Sequence, residues 1–316
     1  MITRLFRAGA HEEKIERLRD LPREVGEHEL LWVDIERDDP TDEALAALGF
    51  EGATERIGAT FDRPDLMRMD DLVHLVVYGL TQGDDGPEIK QARVDLLAHG
   101  NTVMTIRDEE VAGLKDLVEL VEGRSELGAL DAATFVAILI DGLLGAYFAA
   151  TEAIERDIDE LDDRALRSTP DQSFVRELTS LRRRVARLRR ALVPHRGVVA
   201  ALARPELGIT PGGPDPWPGL LDRLERAIDA VENARQLLLG SFDLVMTRTA
   251  QRTNDIVRVL TVVSVTLLPA GVIAGVFGMN FSSPIFEGDG LFLVAAAGIA
   301  AVSALILLLA HWRRWL

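Results

Sequence analysis

Residues 254–281, NDIVRVLTVVSVTLLPAGVIAGVFGMNF, decide the fold class of this protein. They contain an uncharged apolar run of 19 residues, 259–277, and a second uncharged run of 20 residues follows at 291–310. A bilayer core of about 30 Å is crossed by about 20 helical residues, so each run is long enough to span a membrane once. The alternative, two buried helices of a soluble core, is disfavoured because such helices rarely lack charges and capping residues over this length. The two runs therefore predict a membrane hairpin.

The remainder of the chain is strongly acidic. The 316 residues include 35 Lys+Arg and 51 Asp+Glu, a net charge of −16, yet the mean hydropathy is +0.10. Residues 256–316 hold three basic and two acidic side chains, which leaves 32 and 49 in the first 255 residues. An acidic chain is a poor general binder of nucleic acid. The absence of Cys excludes disulfide scaffolds, Cys-based zinc sites and Cys nucleophiles, and the N-terminus lacks an apolar core of signal-peptide length.

The charges around the two runs predict their orientation. Glu287 and Asp289 lie in the connecting loop, which contains no Lys or Arg, whereas Arg258 precedes the first run and Arg313 follows the second. The positive-inside rule then places both termini in the cytoplasm and the loop outside. We expect a protein of the inner (plasma) membrane with two spans.

The first run contains residues that a plain anchor does not need. Pro269 cannot donate a backbone hydrogen bond, and lipid tolerates this only where protein or water satisfies the freed carbonyl. Gly271 and Gly275 form a G-x-x-x-G pattern that lets another helix approach closely. Two interpretations stay open on these residues alone: packing of the hairpin against itself, or a pore-lining helix of an oligomer.

The tripeptide Gly278-Met279-Asn280 directly follows the first run. With the Pro-containing span before it, the short loop, the second span and the RRWL terminus, this segment resembles the CorA family of divalent-cation transporters, the two-transmembrane GMN type. Upstream, LLWVDIERDDP at 30–40 and DRPDLMRMDDLVHLVVYGL at 62–80 are similar to the family's early strand and its Arg-Pro stretch. The resemblance implies a funnel-shaped homo-oligomer, a pentamer, in the lipid bilayer. It also implies Mg²⁺ uptake driven by the membrane potential with cytoplasmic metal feedback, and neither enzyme activity nor a resident cofactor.

Gly278, Met279 and Asn280 are the predicted selectivity filter. Mg²⁺ sheds water reluctantly, so a pore mouth can hold the hydrated ion through hydrogen bonds. Repeated around a symmetric oligomer, the Asn280 amide would offer neutral acceptors to the hydration waters, and Gly278 lets the backbone turn. The same residue types also suit a simple helix C-cap, and both roles can hold together.

A long helix is predicted ahead of the first span, because from about Leu220 no Pro or Gly-rich break occurs before Pro269. A helix continuing to Asn280 has about 60 residues and extends for about 90 Å. Asp243 and Asn254 are eleven residues apart, close to three turns, and so point the same way. The apolar 4-3 pattern of this stalk, interrupted by Arg235, comprises Leu224, Ile228, Val231, Leu238, Phe242 and Val245.

In the family, the positions of Asp243 and Asn254 face the ion path. Thr247 and Thr261 complete the expected polar lining. The candidates for a hydrophobic gate, which would close by dewetting, are Val257, Leu260 and Leu268.

The fold class is predicted as α+β. Strands are expected at 30–35, 73–80, 92–98 and 102–106 with a short helix at 41–48, followed by an antiparallel pair of an acidic helix (130–166) and an Arg-rich helix (174–192). The expected domains are a cytoplasmic α/β domain (1–128), a helical hairpin and linker (129–218), a cytoplasmic stalk (219–255), a pore-lining helix (256–280), a periplasmic loop (281–290) and a second span with its basic C-terminus (291–316).

Regulatory metal sites in the family use acidic residues at subunit interfaces. Asp70, Asp71 and Asp222 are the nearest candidates here. The family's stalk-base carboxylate aligns with Gly219 instead, and the outer loop lacks the family's Met-Pro-Glu-Leu, with Glu287 and Asp289 supplying its acidic charge.

Three functions are compatible with these features of the sequence. Divalent-cation transport of the CorA type, with Mg²⁺ as cargo, is the main hypothesis. A transporter of Zn²⁺, Co²⁺ or Ni²⁺ in the same superfamily is the first alternative, although no Cys or His cluster supports a soft metal. A non-conducting, membrane-anchored sensor or scaffold is the second. An enzyme is disfavoured because the sequence has no phosphate loop, nucleophile elbow or His-carboxylate metal motif.

Overall fold

The computed structural model of the chain describes residues 2–7, 13–15, 20–22, 25–26, 28–39, 41–81, 89–114, 117, 131–167, 172–278 and 289–312. The chain divides into two compact units. The N-terminal unit comprises Met1–Arg167 and Asp171–Ser241, and the C-terminal unit comprises Ser168–Pro170 and Phe242–Leu316.

One mixed sheet is the centre of the N-terminal unit. Among the described residues its strands are β1 (Ile2–Arg7), β2 (Glu13–Lys14), β3 (Glu29–Glu36), β4 (Asp65–Met69), β5 (Leu72–Thr81), β6 (Lys90–His99) and β7 (Thr102–Arg107). Their order is β2-β1-β3-β7-β6-β5-β4, and all neighbours are antiparallel except β3 and β7. The four predicted strands and helix 41–48 are confirmed, whereas β1, β2 and β4 are additions.

Helices cover both faces of the sheet. Between β3 and β4 lie α1 (Thr41–Leu48), a 3₁₀ turn (Glu51–Ala53) and α2 (Thr54–Gly58). They pack on one face of the sheet. On that face, alternate residues of β3 share a hydrophobic core with Leu45 and Phe50. On the other face lies α3 (Ala132–Arg167), where the ring of Phe135 is 5.4 Å from that of Trp32 and 6.3 Å from that of Phe6.

The acidic and Arg-rich helices form the predicted antiparallel pair. α3 is followed by α4 (Gln172–Leu192), and their apolar sides are buried together. Arg164 of α3 donates to Glu177 of α4 at 2.7 Å, and Arg184 of α4 pairs with Asp157 of α3. The turn at 168–170 lies outside the described residues. A short helix, α5 (His195–Leu202), follows α4.

The predicted stalk and first span are one helix. α6 runs from Trp217 to Gly278, 62 residues with Pro269 inside it, and so extends for about 93 Å at 1.5 Å per residue. α7 (Asp289–Trp312, 24 residues) contains the second predicted span. Both long helices agree with the fold class expected from the sequence.

The buried seam of the stalk differs from the predicted one. Leu224, Val231, Leu238 and Val245 are buried as the 4-3 pattern indicates, but Phe242 is 46% exposed and Ile228 is only half-buried. The intervening seam positions are small residues, namely Ala227, Ala234 and Ser241. Arg235 lies one residue off this seam and is exposed, so it does not interrupt it. Small residues let a helix lie close to its neighbours and leave no apolar signal in the sequence.

Candidate functional site

The apolar segment of α6 is not covered by the parts of the chain that the structure describes. By length and composition, two helices in the described part of the chain can cross a membrane, α3 and α6. In the most apolar 18-residue window of α3, 56% of the residues are buried, whereas none is buried in that of α6. Leu267 and Leu268 are 64% and 68% exposed. This surface requires lipid or other copies of the chain to cover it.

The continuity of α6 fixes which predicted residues share a side. At about 100° per residue, Asn254, Thr261 and Leu268 lie within about 20° of the direction of Asp243. Thr247 and Val257 lie within about 40° of it. Leu260 is about 100° away, so the helix does not bring this gate candidate to the same side. The polar candidates and two of the three gate candidates therefore form one stripe, which we call the α6 stripe (Asp243, Thr247, Asn254, Val257, Thr261 and Leu268).

The hydroxyl of Thr261 is oriented by its own helix. Its Oγ1 donates to the carbonyl of Val257 at 2.7 Å, and Thr266 donates to Val262 in the same way at 2.8 Å. A hydroxyl has one hydrogen and two lone pairs, so a hydroxyl that donates to the backbone offers only acceptors to its surroundings. Thr261 consequently suits a partner that donates hydrogen bonds, such as the water shell of a cation.

The filter lies at the end of what the structure describes. Gly278 is the last residue of α6, and Asp289 is the first residue of α7. Met279, Asn280 and Glu287 lie outside the described residues. α6 thus leads directly into the predicted filter tripeptide.

Comparison with known proteins decides the family. A family profile described as CorA-like Mg²⁺ transporter protein matches residues 27–313. The chain belongs to the CorA family. Among its CorA-family relatives, the cobalt/magnesium transport protein CorA of Thermotoga maritima is 25% identical over 258 residues, 80% of this chain and 73% of the relative. The divalent cation transporter CmaX of Pseudomonas aeruginosa is 28% identical over 215 residues, 66% of this chain and 62% of the relative.

The fold is shared with a solved CorA structure. The complete structure of the CorA magnesium transporter from Methanocaldococcus jannaschii matches with a TM-score of 0.76 at 19% identity, covering 100% of this chain and 99% of that one. CorA-family proteins are divalent-cation transporters of membranes and not enzymes. Membership therefore identifies α6 and α7 as membrane helices, and α3 as a core helix of the N-terminal unit.

The regulatory candidates do not form a metal site within one chain. Asp70 and Asp71 lie in the turn between β4 and β5, where Asp70 has a φ of 52° and Arg68 lies 4.0 Å from the Asp71 carboxylate. Asp222 pairs with Arg226 one turn along α6. Over the part of the chain that the structure describes, no group of three or more His, Cys, Asp or Glu side chains can hold a metal.

A buried charge cluster, which sequence reasoning missed, fixes α2 to the sheet. The fully buried Asp95 carboxylate accepts hydrogen bonds from His74 at 2.7 Å, Arg93 at 2.6 Å and Arg37 at 2.5 Å. Arg56 donates to the other His74 nitrogen at 3.1 Å, which makes the Nε2–H tautomer the consistent assignment. Burial alone would raise the pKa of Asp95, but these donors outweigh it and hold the pKa below its ordinary value. Both Asp95 oxygens and both His74 ring nitrogens therefore have partners, whereas Nε of Arg93 is buried without a hydrogen-bond acceptor among the described residues.

A second feature missed by sequence reasoning closes the edge of β5. β4 pairs with β5 only as far as Val76, so the outward backbone groups of Tyr78 need other partners. The Tyr78 N–H donates to Nε2 of His195 at 3.0 Å, and the Tyr78 carbonyl accepts from the Tyr147 hydroxyl at 2.9 Å. Burial lowers the pKa of His195 to about 4, which keeps the ring neutral and able to accept. No periodicity marks these residues, because the contact joins β5, α3 and α5.

Proposed function

We propose that this CorA-family chain forms a homo-oligomeric channel, a pentamer, that passes Mg²⁺ into the cytoplasm along the α6 stripe. The observation that carries the proposal is the alignment of Asp243, Asn254 and Thr261 on one side of a helix whose apolar segment is uncovered. A simple anchor gains nothing from this alignment. Two spans per chain are too few to enclose a water-filled path, so several copies must combine, and a closed ring is the usual solution.

The lining supports passage of a hydrated cation. Mg²⁺ keeps several of its waters, which point their hydrogens outward. The Asp243 carboxylate, the Asn254 amide oxygen and the Thr261 hydroxyl can all accept from those waters. At the outer end, Gly278-Met279-Asn280 would hold the same hydrated ion through amide oxygens, with Glu287 and Asp289 raising the local cation concentration outside.

We assign the hydrophobic gate to Val257 and Leu268. Both lie on the α6 stripe, so in a symmetric oligomer each would form an apolar ring that excludes water when the helices close. Leu260 lies about 100° away and is better placed to contact a neighbouring helix. A polar substitution such as Val257→Asn would then keep the path open, whereas Leu260→Asn would not.

The membrane potential is a sufficient driving force for uptake. One elementary charge gains about 2.3 kcal/mol per 100 mV, so a divalent cation gains about 4.6 kcal/mol. In this proposal the chain lies in the inner membrane and both termini face the cytoplasm. An inside-negative potential across that membrane then drives the ion inward without ATP.

Cytoplasmic feedback would use carboxylates from adjacent subunits. Asp70, Asp71 and Asp222 are the candidates, and the lack of a three-ligand group in one described chain favours sites shared between copies. Mg²⁺ bound there would stabilise the closed state. Titration of Mg²⁺ onto the purified protein should then slow its proteolysis, and unchanged cleavage at every concentration would remove the sensor.

The decisive experiment is metal-resolved flux into proteoliposomes with Mg²⁺, Zn²⁺, Co²⁺ and Ni²⁺. We expect Mg²⁺ uptake by the wild type, loss of uptake in Asn280→Ala with the oligomer intact, and normal uptake in Asn233→Ala, an exposed stalk amide away from the α6 stripe. Uptake of Zn²⁺ without Mg²⁺ would assign the chain to transition-metal transport. No flux of any metal would support the non-conducting sensor instead.

A further inference from the structure

Arginines recur at a fixed spacing on the outer side of α4. Arg176, Arg183 and Arg190 are seven residues apart and all exposed. At about 100° per residue they lie on the side of the helix opposite to the buried Leu181 and Val185. We call these three residues the arginine stripe.

Carboxylates recur at the same spacing on α3. Glu152 and Asp159 are seven residues apart and exposed, and the half-buried Glu155 and Asp162 repeat the spacing beside them. We call these four residues the acidic stripe. Within each stripe, charges seven residues apart are separated by about 10.5 Å along the helix.

The two stripes are not neutralised within one chain. The α3–α4 pair has its own ion pairs, Arg164 with Glu177 and Arg184 with Asp157, and neither involves a residue of the stripes. Across the described residues, no carboxylate pairs with Arg176 or Arg183, and no basic group pairs with Glu152 or Asp159. Like charges along one helix face repel each other and destabilise it unless opposite charges approach. On α3, Arg156 lies four residues after Glu152 and three before Asp159 and offsets part of this repulsion, but no carboxylate lies at such a spacing between Arg176 and Arg183. The arginine stripe is therefore unfavourable in an isolated chain.

We propose that the acidic stripe of one protomer docks on the arginine stripe of its neighbour in the oligomer. The stripes have opposite charge and equal spacing, so Glu152 and Asp159 can meet Arg176 and Arg183 as two pairs at once. Guanidinium groups match carboxylates with paired hydrogen bonds. Each protomer carries both stripes on different helices, which makes the contact head-to-tail, the kind that closes a ring.

This contact also addresses the repulsion between copies of the chain. Each copy carries a net charge of −16, and the arginine stripe is a place where a neighbour's negative charge is favourable. Exposed pairs add little affinity singly, but they steer association and fix register. The inference rests on the homo-oligomer of the proposed function and not on which metal it carries.

Crosslinking tests the contact directly, because the chain has no Cys. Asp159→Cys and Arg183→Cys would be expressed together in copies with different tags and treated in membranes with a short bismaleimide. We expect a heterotypic crosslinked dimer, which two single-Cys copies can form only between chains. The control pairs Asp159→Cys with Glu206→Cys, an exposed position on neither stripe. Equal yield from the two pairs would overturn the proposal.

Charge exchange gives a second test. Arg176→Glu with Arg183→Glu should raise dissociation of the purified oligomer about tenfold at 0.15 M salt, because two exposed pairs become repulsive. Adding Glu152→Arg and Asp159→Arg to this variant should return the dissociation of the oligomer to the wild-type level, because the two stripes are then complementary again with their signs exchanged. Unchanged dissociation in the first variant, or no recovery in the second with helix content retained, contradicts the contact.

Two further outcomes keep the proposals separate. Protection of Arg183→Cys from maleimide by pyrophosphate, without heterotypic crosslinking, would make the stripe an anion site and overturn the docking. Crosslinking requires no transport, so heterotypic crosslinks in a chain that carries no metal would sustain the contact while the proposed function fails.

Discussion

Two long helices of this protein, α3 and α6, carry comparable apolar segments, but only α3 buries its segment against other parts of the described chain. More than half of the apolar window of α3 (56%) is buried by the same chain, and none of the window of α6 is. The α3 segment packs closely on the turn that follows β7, since a Cβ on Gly113 would lie 2.1 Å from the Gly142 carbonyl oxygen. Asp141 within it pairs with Arg223 of α6. The first span of α6, at 259–277, has no ionisable residue.

The difference teaches that length and apolarity alone do not separate a core helix from a membrane helix. The two kinds of helix are distinguished by whether the same chain supplies a matching surface. For α3 the evidence of such a surface is close backbone approach, ring contacts and a paired carboxylate. The following substitutions test that distinction.

Phe135→Ala should have the largest effect, because it removes a fully buried ring from the contact between α3 and the sheet. We expect the free energy of unfolding of the N-terminal unit to fall by about 3–5 kcal/mol. Urea titration of the solubilised full chain, followed by Trp fluorescence, measures it. Ile138→Ala on the same helix is half-buried and is the control. Equal losses would show that α3 is not anchored through its inner side.

Leu267→Arg tests the surroundings of α6. A charge near the centre of a membrane helix costs about 2.5–3.5 kcal/mol of insertion free energy. We expect the membrane-inserted fraction of the chain to fall, measured by alkaline extraction of membranes. Leu237→Arg, at a 48% exposed position in the stalk, should insert as the wild type does. Similar behaviour of the two variants would argue against a membrane boundary between these positions.

His195 predicts a pH dependence confined to the N-terminal unit. Burial lowers its pKa to about 4 from an ordinary value of 6.5. The stabilisation is therefore complete above pH 6.5 and is lost as the pH falls from 6.5 to about 4, by about 3 kcal/mol in all. Measured by urea titration at several pH values, His195→Gln should show no such fall, because Gln keeps an acceptor but does not titrate. Asp95, whose pKa is lowered, loses its contribution only at more acid pH, so the two windows are separable.

Asp131→Ala should have the smallest effect. The Asp131 carboxylate caps α3 by accepting from the Thr134 N–H at 2.7 Å, and it also accepts from the N–H groups of Gly212 at 2.5 Å and Gly213 at 3.1 Å. Loss of an N-cap costs about 1–2 kcal/mol. Hydrogen exchange should rise in the first turn of α3 and in the loop ahead of α6. Asp131→Asn retains an acceptor for Thr134, and exchange there as fast as in the Ala variant would contradict the capping role.

The sequence predicted the elements whose signal is local. Helix 41–48, four strands and the charged helix pair follow from periodicity and charge pattern, and the length of α6 follows from the absence of a Pro or Gly-rich break between Leu220 and Pro269. β1 and β4 escaped because ITRLFR and DLMRM mix charged and apolar residues, and the sheet partners that stabilise them are distant in sequence. Four of the six predicted seam residues are buried, and the pattern misses Ala227, Ala234 and Ser241 because small residues give little apolar signal.

The residues of the candidate site divide in the same way, into those that local spacing predicts and those that depend on tertiary contacts. The shared direction of Asp243, Asn254 and Thr261 is a property of any continuous helix, so spacing alone predicts it. Leu260 is a gate candidate because it is apolar, but the same spacing places it about 100° from Asp243 on the continuous helix. The buried cluster of Asp95 and the edge closure at Tyr78 depend on tertiary contacts that no local pattern encodes.

The closure at Tyr78 has a consequence for solubility. A strand edge with free backbone groups is a template on which another chain can add a strand, the first step towards aggregation. Here His195 and Tyr147 occupy the groups of Tyr78, and the Ala112 N–H donates to the next outward carbonyl, that of Leu80, at 2.8 Å. A newly made chain therefore offers no free carbonyl at these two positions, even before its membrane helices have reached lipid.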